Sequence, residues 1–214
     1  MIKYLLLDLD NTLYPSSTGL GEEMDSRMTD YVAGHLSITR QEAHALRREK
    51  VRVHGSTLRW LTEVMNVDVD AYLDAIHPND PAAWIDVEHC IAAQEAMAEI
   101  TCRASVLTNA PAEHAERVLR HLGLRSRFEH VFDLRWSGFV GKPAVEVYER
   151  VLSTIGTRAD ETLLVDDVLQ YLLPFRRLGG QVVQMSDSGT EHATVPRVGT
   201  LKELVPLIRS GRYA

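Results

Sequence analysis

The 214 residues contain neither an apolar segment long enough to cross a membrane nor the excess of basic residues that is typical of nucleic-acid-binding proteins. The longest apolar runs fall far short of the roughly 20 residues that cross a bilayer, so no membrane span is predicted. Lys and Arg total 23 against 30 Asp and Glu, a formal net charge of −7. This acidic balance gives no support to a surface for a nucleic acid polymer or an anionic membrane. The first predicted strand begins almost at Met1, which leaves no room for a signal peptide, and we expect a cytoplasmic protein.

Cysteine is also scarce, which argues against a metal ribbon. The two cysteines, Cys90 and Cys102, lie in apolar surroundings and are predicted to be buried free thiols. His114 and His121 share one face of a predicted helix, but a seven-residue spacing is too wide to bind one metal ion. No Cys, Asp or Glu completes a zinc pattern with them, so a zinc site is not favoured.

The chain does contain a series of short apolar segments that end in polar side chains. The run Tyr4–Leu7 is typical of a strand buried on both faces, as parallel sheets require. Further strands are predicted at 104–109, 130–133, 162–167 and 181–185, with helical patterns between them. This alternation predicts an α/β fold with a doubly wound parallel sheet, a Rossmann-like core.

Between Tyr14 and the helix-breaking segment His77–Pro81 no convincing strand is found. Apolar residues recur there at helical spacing, and Thr39 with Glu42 forms a capping box. A segment of this length would not be structureless in a compact domain. We therefore expect an inserted all-helical cap at residues 16–85 and an α/β catalytic core at 1–15 and 86–214.

Polar side chains should converge at the carboxyl-terminal edge of the predicted sheet, where ligands bind in open α/β folds. They are Asp8 and Asp10, Thr108 and Asn109, Lys142, and Asp166 and Asp167. Two carboxylates held together repel unless a cation or a shared proton compensates, which favours a divalent metal.

Each of these groups also has a structural interpretation when taken alone. The Asp pair could terminate a strand as turn formers, and Thr108 with Asn109 could cap the helix that follows. Lys142 could be a solvated surface charge, and Asp166 with Asp167 could cap a helix. Four such accidents at one sheet edge are improbable together, so a shared functional site at this edge is favoured.

The order of these motifs resembles the haloacid dehalogenase-like hydrolase superfamily, in its phosphatase branch. The motifs are Asp8-Leu9-Asp10-Asn11-Thr12, Val106-Leu107-Thr108-Asn109, Lys142-Pro143 and Asp166-Asp167. The segments Asp10–Pro15, Gly55–Arg59 and Gly141–Pro143 look like the pyrimidine 5′-nucleotidase-type branch.

By this resemblance Asp8 is the nucleophile that forms an aspartyl-phosphate, and Asp10 protonates the leaving alcohol and then deprotonates water. Mg²⁺ is expected on Asp8, the backbone carbonyl of Asp10, Asp166 and Asp167. The implied substrate is a small phosphorylated metabolite, with a nucleoside monophosphate as the narrower expectation.

Several further groups are expected to contact the phosphoryl group. The resemblance implies that Lys142 supplies positive charge and that Thr108 donates a hydrogen bond to a phosphoryl oxygen, as do backbone N–H groups near Leu9 and Asn109. Thr12 is interpreted either as a phosphate ligand or as a turn residue bonded to the backbone.

Two positions depart from the family pattern, since Val168 and Tyr171 stand where members often carry Ser and Asn. In the cap, His54, Arg59 and Trp60 could face a substrate, or Trp60 could belong to the cap core and Arg59 to its solvated surface. Two competing functions stay open: a metal-independent dehalogenase, and a catalytically idle phosphate-binding module. The oligomeric state is not indicated.

Overall fold

The computed structural model describes residues 2–186 and 194–210. The chain divides into two compact units, a core unit of Met1–Thr18 with Pro81–Ala214 and a helical unit of Gly19–Asp80. The helical unit is shorter at both ends than the predicted segment 16–85. The reason is that two short 3₁₀ helices, Ser16–Thr18 and Pro81–Ala83, belong to the core unit.

Helices make up the helical unit. They are α1 (Leu20–Leu36), α2 (Arg40–His54), α3 (Thr57–Met65) and α4 (Val69–Ile76). The predicted capping box opens α2, because the Thr39 hydroxyl accepts from the Glu42 N–H and the Glu42 carboxylate accepts from the Thr39 N–H at 2.9 Å. This confirms that prediction.

A buried arginine ties three helices of this unit together. One Arg47 Nη donates to the Asp25 carboxylate at 2.8 Å, and the other donates to the Asp25 carbonyl and to the Thr29 hydroxyl. Its Nε donates to the Thr57 hydroxyl at 3.3 Å. A buried cation is tolerated when its donors are paired in this way.

The three cap side chains considered from the sequence have different surroundings. Trp60 is buried, which agrees with its interpretation as a core residue. The Arg59 side chain is 64% exposed and pairs with Glu63, which also bonds His54 at 2.8 Å. Within the helical unit, then, Arg59 forms a surface ion pair with Glu63, and His54 bonds the same carboxylate.

The described part of the core unit is built on a six-stranded parallel sheet. Its strands are β1 (Tyr4–Leu7), β2 (Arg103–Leu107), β3 (Val131–Phe132), β4 (Thr162–Asp166), β5 (Gln181–Met185) and β6 (Arg197–Val198). Their order is β3-β2-β1-β4-β5-β6, with every pair parallel. This confirms the doubly wound parallel sheet, although β6, only two residues long, was not predicted.

The centre of the sheet is β1, which pairs with β2 on one side and β4 on the other. All four of its residues are fully buried. Burial on both faces explains why the strand reads as a continuous apolar run. The chain direction then brings the residues after β1, β2 and β4 to one edge of the sheet.

Helices of the core unit follow the strands. They are α5 (Val87–Ala98), α6 (Ala112–His121), α7 (Val145–Ile155), α8 (Leu169–Arg177) and α9 (Leu201–Ser210). Side chains of α7 and α8, including Tyr148 and Phe175, pack with Leu6 of β1 in the main apolar cluster. Cys90 is a buried free thiol as predicted, whereas the free thiol Cys102 is only half-buried. Among the described helices, none is long and apolar enough to span a membrane.

Candidate active site

The site lies at the carboxyl-terminal edge of the central strands. Asp8 directly follows β1 and continues its ladder, since its N–H donates to Val165 O at 2.9 Å. Asp166 is the last residue of β4, and Lys142 comes from the loop before α7. The three side chains are almost completely buried, although 134 residues separate the first from the lysine.

One lysine joins two of these acids. Lys142 Nζ lies 2.7 Å from Asp8 Oδ1 and 2.5 Å from Asp166 Oδ2. The lysine side chain is 1% exposed, so the interpretation of Lys142 as a solvated surface charge does not apply. Its ammonium is therefore fixed beside the carboxylate that is predicted to attack.

The site holds more negative charge than this lysine neutralises. Burial raises the pKa of Asp8, raises that of Asp166 to about 8 and raises that of Asp167 to about 6, although Lys142 opposes the rise. Burial alone would lower the pKa of Lys142, but Asp166 and Asp8 raise it above its usual value. A bound divalent ion or bound protons would compensate this surplus of carboxylates over cations.

The donor set fits such an ion. Ligand oxygens of Asp8, Asp166 and Asp167 lie within 4.8 Å of one another. The set contains carboxylate oxygens without sulfur or imidazole, which suits Mg²⁺ better than zinc. Beside it, the buried Asn11 Oδ1 and Thr12 Oγ1 have no hydrogen-bond partner in the part of the chain that the structure describes. Both atoms lie beside the three acids, and the two interpretations of Thr12, as a phosphate ligand or as a turn residue, stay predictions.

Asn11 connects the first and fourth motifs in a way that the sequence did not show. Its Nδ2 donates to Asp167 Oδ2 at 3.3 Å. The residue adopts a left-handed backbone with φ of 56°, a conformation that Asn tolerates better than most residues. This turn directs its side chain toward the end of β4.

The carboxylate of Asp10 has a different environment from the other three acids. Its Oδ1 accepts a hydrogen bond from the Tyr14 hydroxyl at 2.5 Å and lies 2.8 Å from His114 Nε2. Burial, reinforced by the charge of Asp10, raises the pKa of Tyr14 well above its usual value, so this phenol stays a donor. The carboxylate is thus held by hydrogen bonds and is not in the three-acid group, while the expected role of the Asp10 backbone carbonyl stays a prediction.

The Tyr14 contact has a signal in the sequence, because a position four residues after Asp10 permits contact across one turn. The sequence alone suggests no role for His114 beyond the zinc site that is not favoured. It lies 104 residues from Asp10, while His121 donates to Ile85 O at 2.7 Å. The two histidines therefore serve separate partners.

Thr108 and Asn109 follow β2 and lie at the same edge. The Thr108 hydroxyl oxygen accepts from Ala110 N–H at 3.0 Å, which leaves its hydrogen for another acceptor. The Asn109 side chain accepts from Lys142 N–H at 2.7 Å and donates to Lys142 O at 2.9 Å. Asn109 thereby clamps the backbone of Lys142, a role that its place in the motif did not reveal.

A glycine makes room for this clamp. Gly141 has φ of 67°, and a Cβ placed on it would lie 2.5 Å from Asn109 Oδ1. Both the left-handed backbone and the close approach require glycine at this position.

The two departures from the family pattern have compensating contacts. Val168 N–H donates to Asp166 Oδ1 at 2.9 Å, so a backbone group orients this carboxylate. The Tyr171 ring centroid lies 5.2 Å from Lys142 Nζ, a cation–π contact. Gln184 donates to the carbonyl of Asp167 at 3.0 Å. The end of β4 is therefore supported without the expected Ser and Asn.

A cavity of about 460 Å³ in the core unit adjoins the acids. Asn11, Thr12 and Asp167 line it at the sheet edge, and Ala92 and Ala96 of α5 line it elsewhere. Its size suits a small molecule rather than a polymer.

Comparison with known proteins agrees with this architecture. A sequence model described as haloacid dehalogenase-like hydrolase matches residues 2–175. The glyceraldehyde 3-phosphate phosphatase of Methanocaldococcus jannaschii is 24% identical over 228 residues, which cover 98% of each chain.

Solved structures with the same fold include two kinds of hydrolase. An HAD phosphatase from Thermococcus onnurineus has a TM-score of 0.63 at 16% identity and covers 100% of both chains. The L-2-haloacid dehalogenase from Xanthobacter autotrophicus has a TM-score of 0.62 at 16% identity, with 98% of this chain and 99% of that chain covered. Such likeness shows the fold and leaves the reaction to be decided by the site.

Proposed function

Because the chain belongs to the haloacid dehalogenase-like hydrolases, we propose that this enzyme is a Mg²⁺-dependent phosphomonoesterase that works through an aspartyl-phosphate on Asp8. The observation that carries the proposal is the buried group at the sheet edge, where Asp8 and Asp166 share Lys142 and Asp167 adds a third acid. An anionic phosphate reacts with an anionic nucleophile only where positive charge is concentrated.

Asp8, Asp166, Asp167 and the backbone carbonyl of Asp10 would hold the metal. When bound, Mg²⁺ supplies positive charge that stabilises the phosphoryl oxygens in the transition state. The ammonium of Lys142, fixed 2.7 Å from Asp8, neutralises charge on the same side. Thr108, through its hydroxyl hydrogen, and a backbone N–H near Asn109 bind phosphoryl oxygens and orient the group.

The reaction then has two halves. In the first, a carboxylate oxygen of Asp8 attacks phosphorus, the bond from phosphorus to the ester oxygen breaks, and Asp10 gives that oxygen its proton. In the second, water attacks phosphorus and passes a proton to Asp10. The bond from phosphorus to Asp8 breaks, which releases phosphate and restores both acids.

The dehalogenase alternative shares the nucleophile and the fold. It has no leaving alkoxide to protonate and needs no metal, so it does not use a second acid at Asp10 or the pair Asp166 and Asp167. All three are present and are held by specific hydrogen bonds to neighbouring groups. The site therefore supports phosphate ester hydrolysis over halide displacement.

The substrate proposed is a small phosphorylated metabolite. The resemblance of Asp10–Pro15 and Gly55–Arg59 to the pyrimidine 5′-nucleotidase-type branch supports a nucleoside monophosphate. The relative from M. jannaschii is a phosphatase for glyceraldehyde 3-phosphate, which supports short sugar phosphates as a second class.

A screen of phosphate release tests this function. Nucleoside monophosphates and short sugar phosphates are incubated with the enzyme and Mg²⁺, with and without EDTA. We expect release that EDTA abolishes and excess Mg²⁺ restores. Halide release from a haloacid that is insensitive to EDTA would overturn the proposal in favour of a dehalogenase. No hydrolysis of any ester by a folded sample would favour the idle binding module.

A further inference from the structure

His114 is a buried titratable side chain that the two reaction halves do not use. It is the third residue of α6 and is 1% exposed. Its Nε2 lies 2.8 Å from Asp10 Oδ1. Because an ionised carboxylate only accepts hydrogen bonds, Nε2 carries the hydrogen and His114 donates.

Tyr14 donates to the same oxygen of Asp10. Its hydroxyl lies 2.5 Å from Oδ1, and the tyrosine is also buried. Two donors on one carboxylate oxygen fix the plane of the group and concentrate its negative charge at Oδ1. The proton that Asp10 transfers is then carried by Oδ2.

We propose that His114 is a positioning residue that, with Tyr14, orients Asp10 so that Oδ2 exchanges the proton with the ester oxygen and with water. This inference rests on the proposed phosphomonoesterase function. His114 itself touches neither substrate nor metal in this scheme and acts through Asp10.

A second histidine on the same helix shows what a purely structural bond would look like. His121 Nε2 donates to the backbone oxygen of Ile85 at 2.7 Å and fastens α6 to the loop before α5. His114 instead bonds the side chain of an acid in the first motif. His121 therefore provides the matched control for the loss of one histidine bond on α6.

The proposal predicts a dependence on the leaving group. An alkyl phosphate releases an alkoxide that needs a proton from Asp10, whereas a nitrophenyl phosphate releases an anion that is stable without one. Misplacement of Asp10 should therefore slow attack on the alkyl ester and spare attack on the aryl ester. A general loss of structure would slow both equally.

The experiment measures kcat/KM of His114→Leu for nitrophenyl phosphate and for the alkyl phosphate that the wild-type enzyme hydrolyses best. We expect a loss of about 100-fold for the alkyl ester, within the range that general acid catalysis supplies, and less than about 3-fold for the aryl ester. With the aryl ester, a burst of nitrophenol should also appear, because the phosphoenzyme then lacks an oriented base for its hydrolysis.

Three further variants keep the test decisive. His121→Leu should leave the ratio of the two kcat/KM values unchanged. His114→Gln places an N–H donor near the position of Nε2 and should restore most of the alkyl activity, whereas the shorter His114→Asn should not. If His114→Leu fails to fold, the comparison of Gln with Asn, both polar, decides the question.

The outcomes distinguish a failure of the proposed function from a failure of the positioning role of His114. Hydrolysis of neither ester by the wild type would contradict the proposed function itself. Wild-type hydrolysis of both esters, with equal losses in His114→Leu or no difference between the Gln and Asn variants, would overturn the positioning role alone.

Discussion

The two units each bury a cationic side chain and treat it in opposite ways. In the helical unit, Arg47 meets one carboxylate, a carbonyl and two hydroxyl groups, so its donors are paired and its charge is balanced. In the core unit, Lys142 faces two buried carboxylates with a third acid beside them. The balanced cluster stabilises a fold, whereas the unbalanced one is the site where we propose that a metal ion and a phosphate ester bind.

The largest effect is expected from removing Asp8, the proposed nucleophile of the unbalanced cluster. Asp8→Asn keeps the shape of the side chain but cannot form the aspartyl-phosphate, so kcat should fall by about 10⁴-fold or more. Phosphate release on the best substrate measures this. Asp160→Asn, an exposed acid paired with Arg158, serves as the control and should keep full activity. Substantial turnover by Asp8→Asn would refute the covalent mechanism.

The same comparison predicts opposite consequences for the two cations. Lys142→Met removes charge from the phosphoryl site and should lower kcat/KM by about 10³-fold. Its thermal unfolding should change little with Mg²⁺ present, because the metal compensates the remaining acids. A loss of stability without a loss of activity per folded molecule would place Lys142 with the structural cations.

Arg47→Met should act on stability. It removes the hydrogen bonds that the charged guanidinium donates to the Thr57 and Thr29 hydroxyls and to the carbonyl and carboxylate of Asp25. Because each hydrogen bond from a charged donor contributes about 1.5 to 3 kcal/mol, we expect a total loss of about 3 kcal/mol or more. Denaturant unfolding measures the change in free energy. Arg59→Met, in which an exposed ion pair with Glu63 is lost, is the control and should cost about 1 kcal/mol or less. Equal losses of unfolding free energy in Arg47→Met and Arg59→Met would contradict the structural role assigned to the buried arginine.

The unbalanced cluster should also give the metal-free protein a distinctive pH dependence. The pKa values of Asp166, about 8, and Asp167, about 6, both lie above those of an unfolded chain. The folded state therefore binds these protons more tightly, and the resulting stabilisation is present at low pH and is lost as the pH rises through about 6 to 8.

Thermal unfolding in EDTA tests the sign. The wild type should lose stability between about pH 5 and about pH 9, and the neutral variant Asp166→Asn should lose less over the same range. Adding Mg²⁺ at the higher pH should raise Tm for the wild type, since the ionised acids bind the cation. If Tm changes with pH identically in the wild type and in Asp166→Asn, the Asp166 carboxyl group does not cause the loss of stability.

The physics of the fold explains which parts of this site the sequence predicts and which it does not. Parallel strands with buried apolar residues bring their ends to one edge, so the convergence of Asp8, Lys142 and Asp166 was predicted from hydrophobic pattern and order alone. Which atoms meet there depends on helix rotation and loop conformation, which no local pattern encodes. The contacts of His114 with Asp10 and of Asn109 with the lysine backbone therefore needed the structure.

The same limit applies to shorter and more ambiguous signals. Trp60 fitted both a substrate-facing and a buried position, and its burial decided between them. The strand Arg197–Val198 is too short to show alternation and was not predicted. The assigned roles of Thr12, Thr108 and Asn109 toward a phosphate remain predictions.

The smallest effect tests the clamp that holds Lys142 in place. Gly141 and Gly156 have nearly the same left-handed backbone, with φ of 67° and 66°, so alanine should strain both by about 1 kcal/mol. The added Cβ at Gly141 would lie 2.5 Å from Asn109 Oδ1, whereas at Gly156 it meets nothing within 4 Å. Gly141→Ala should therefore displace Asn109, loosen Lys142 and lower kcat/KM by about 10-fold, while Gly156→Ala loses only stability. Equal kcat/KM in the two variants would show that the lysine keeps its position without the clamp, because the strain is common to both and only the contact with Asn109 differs.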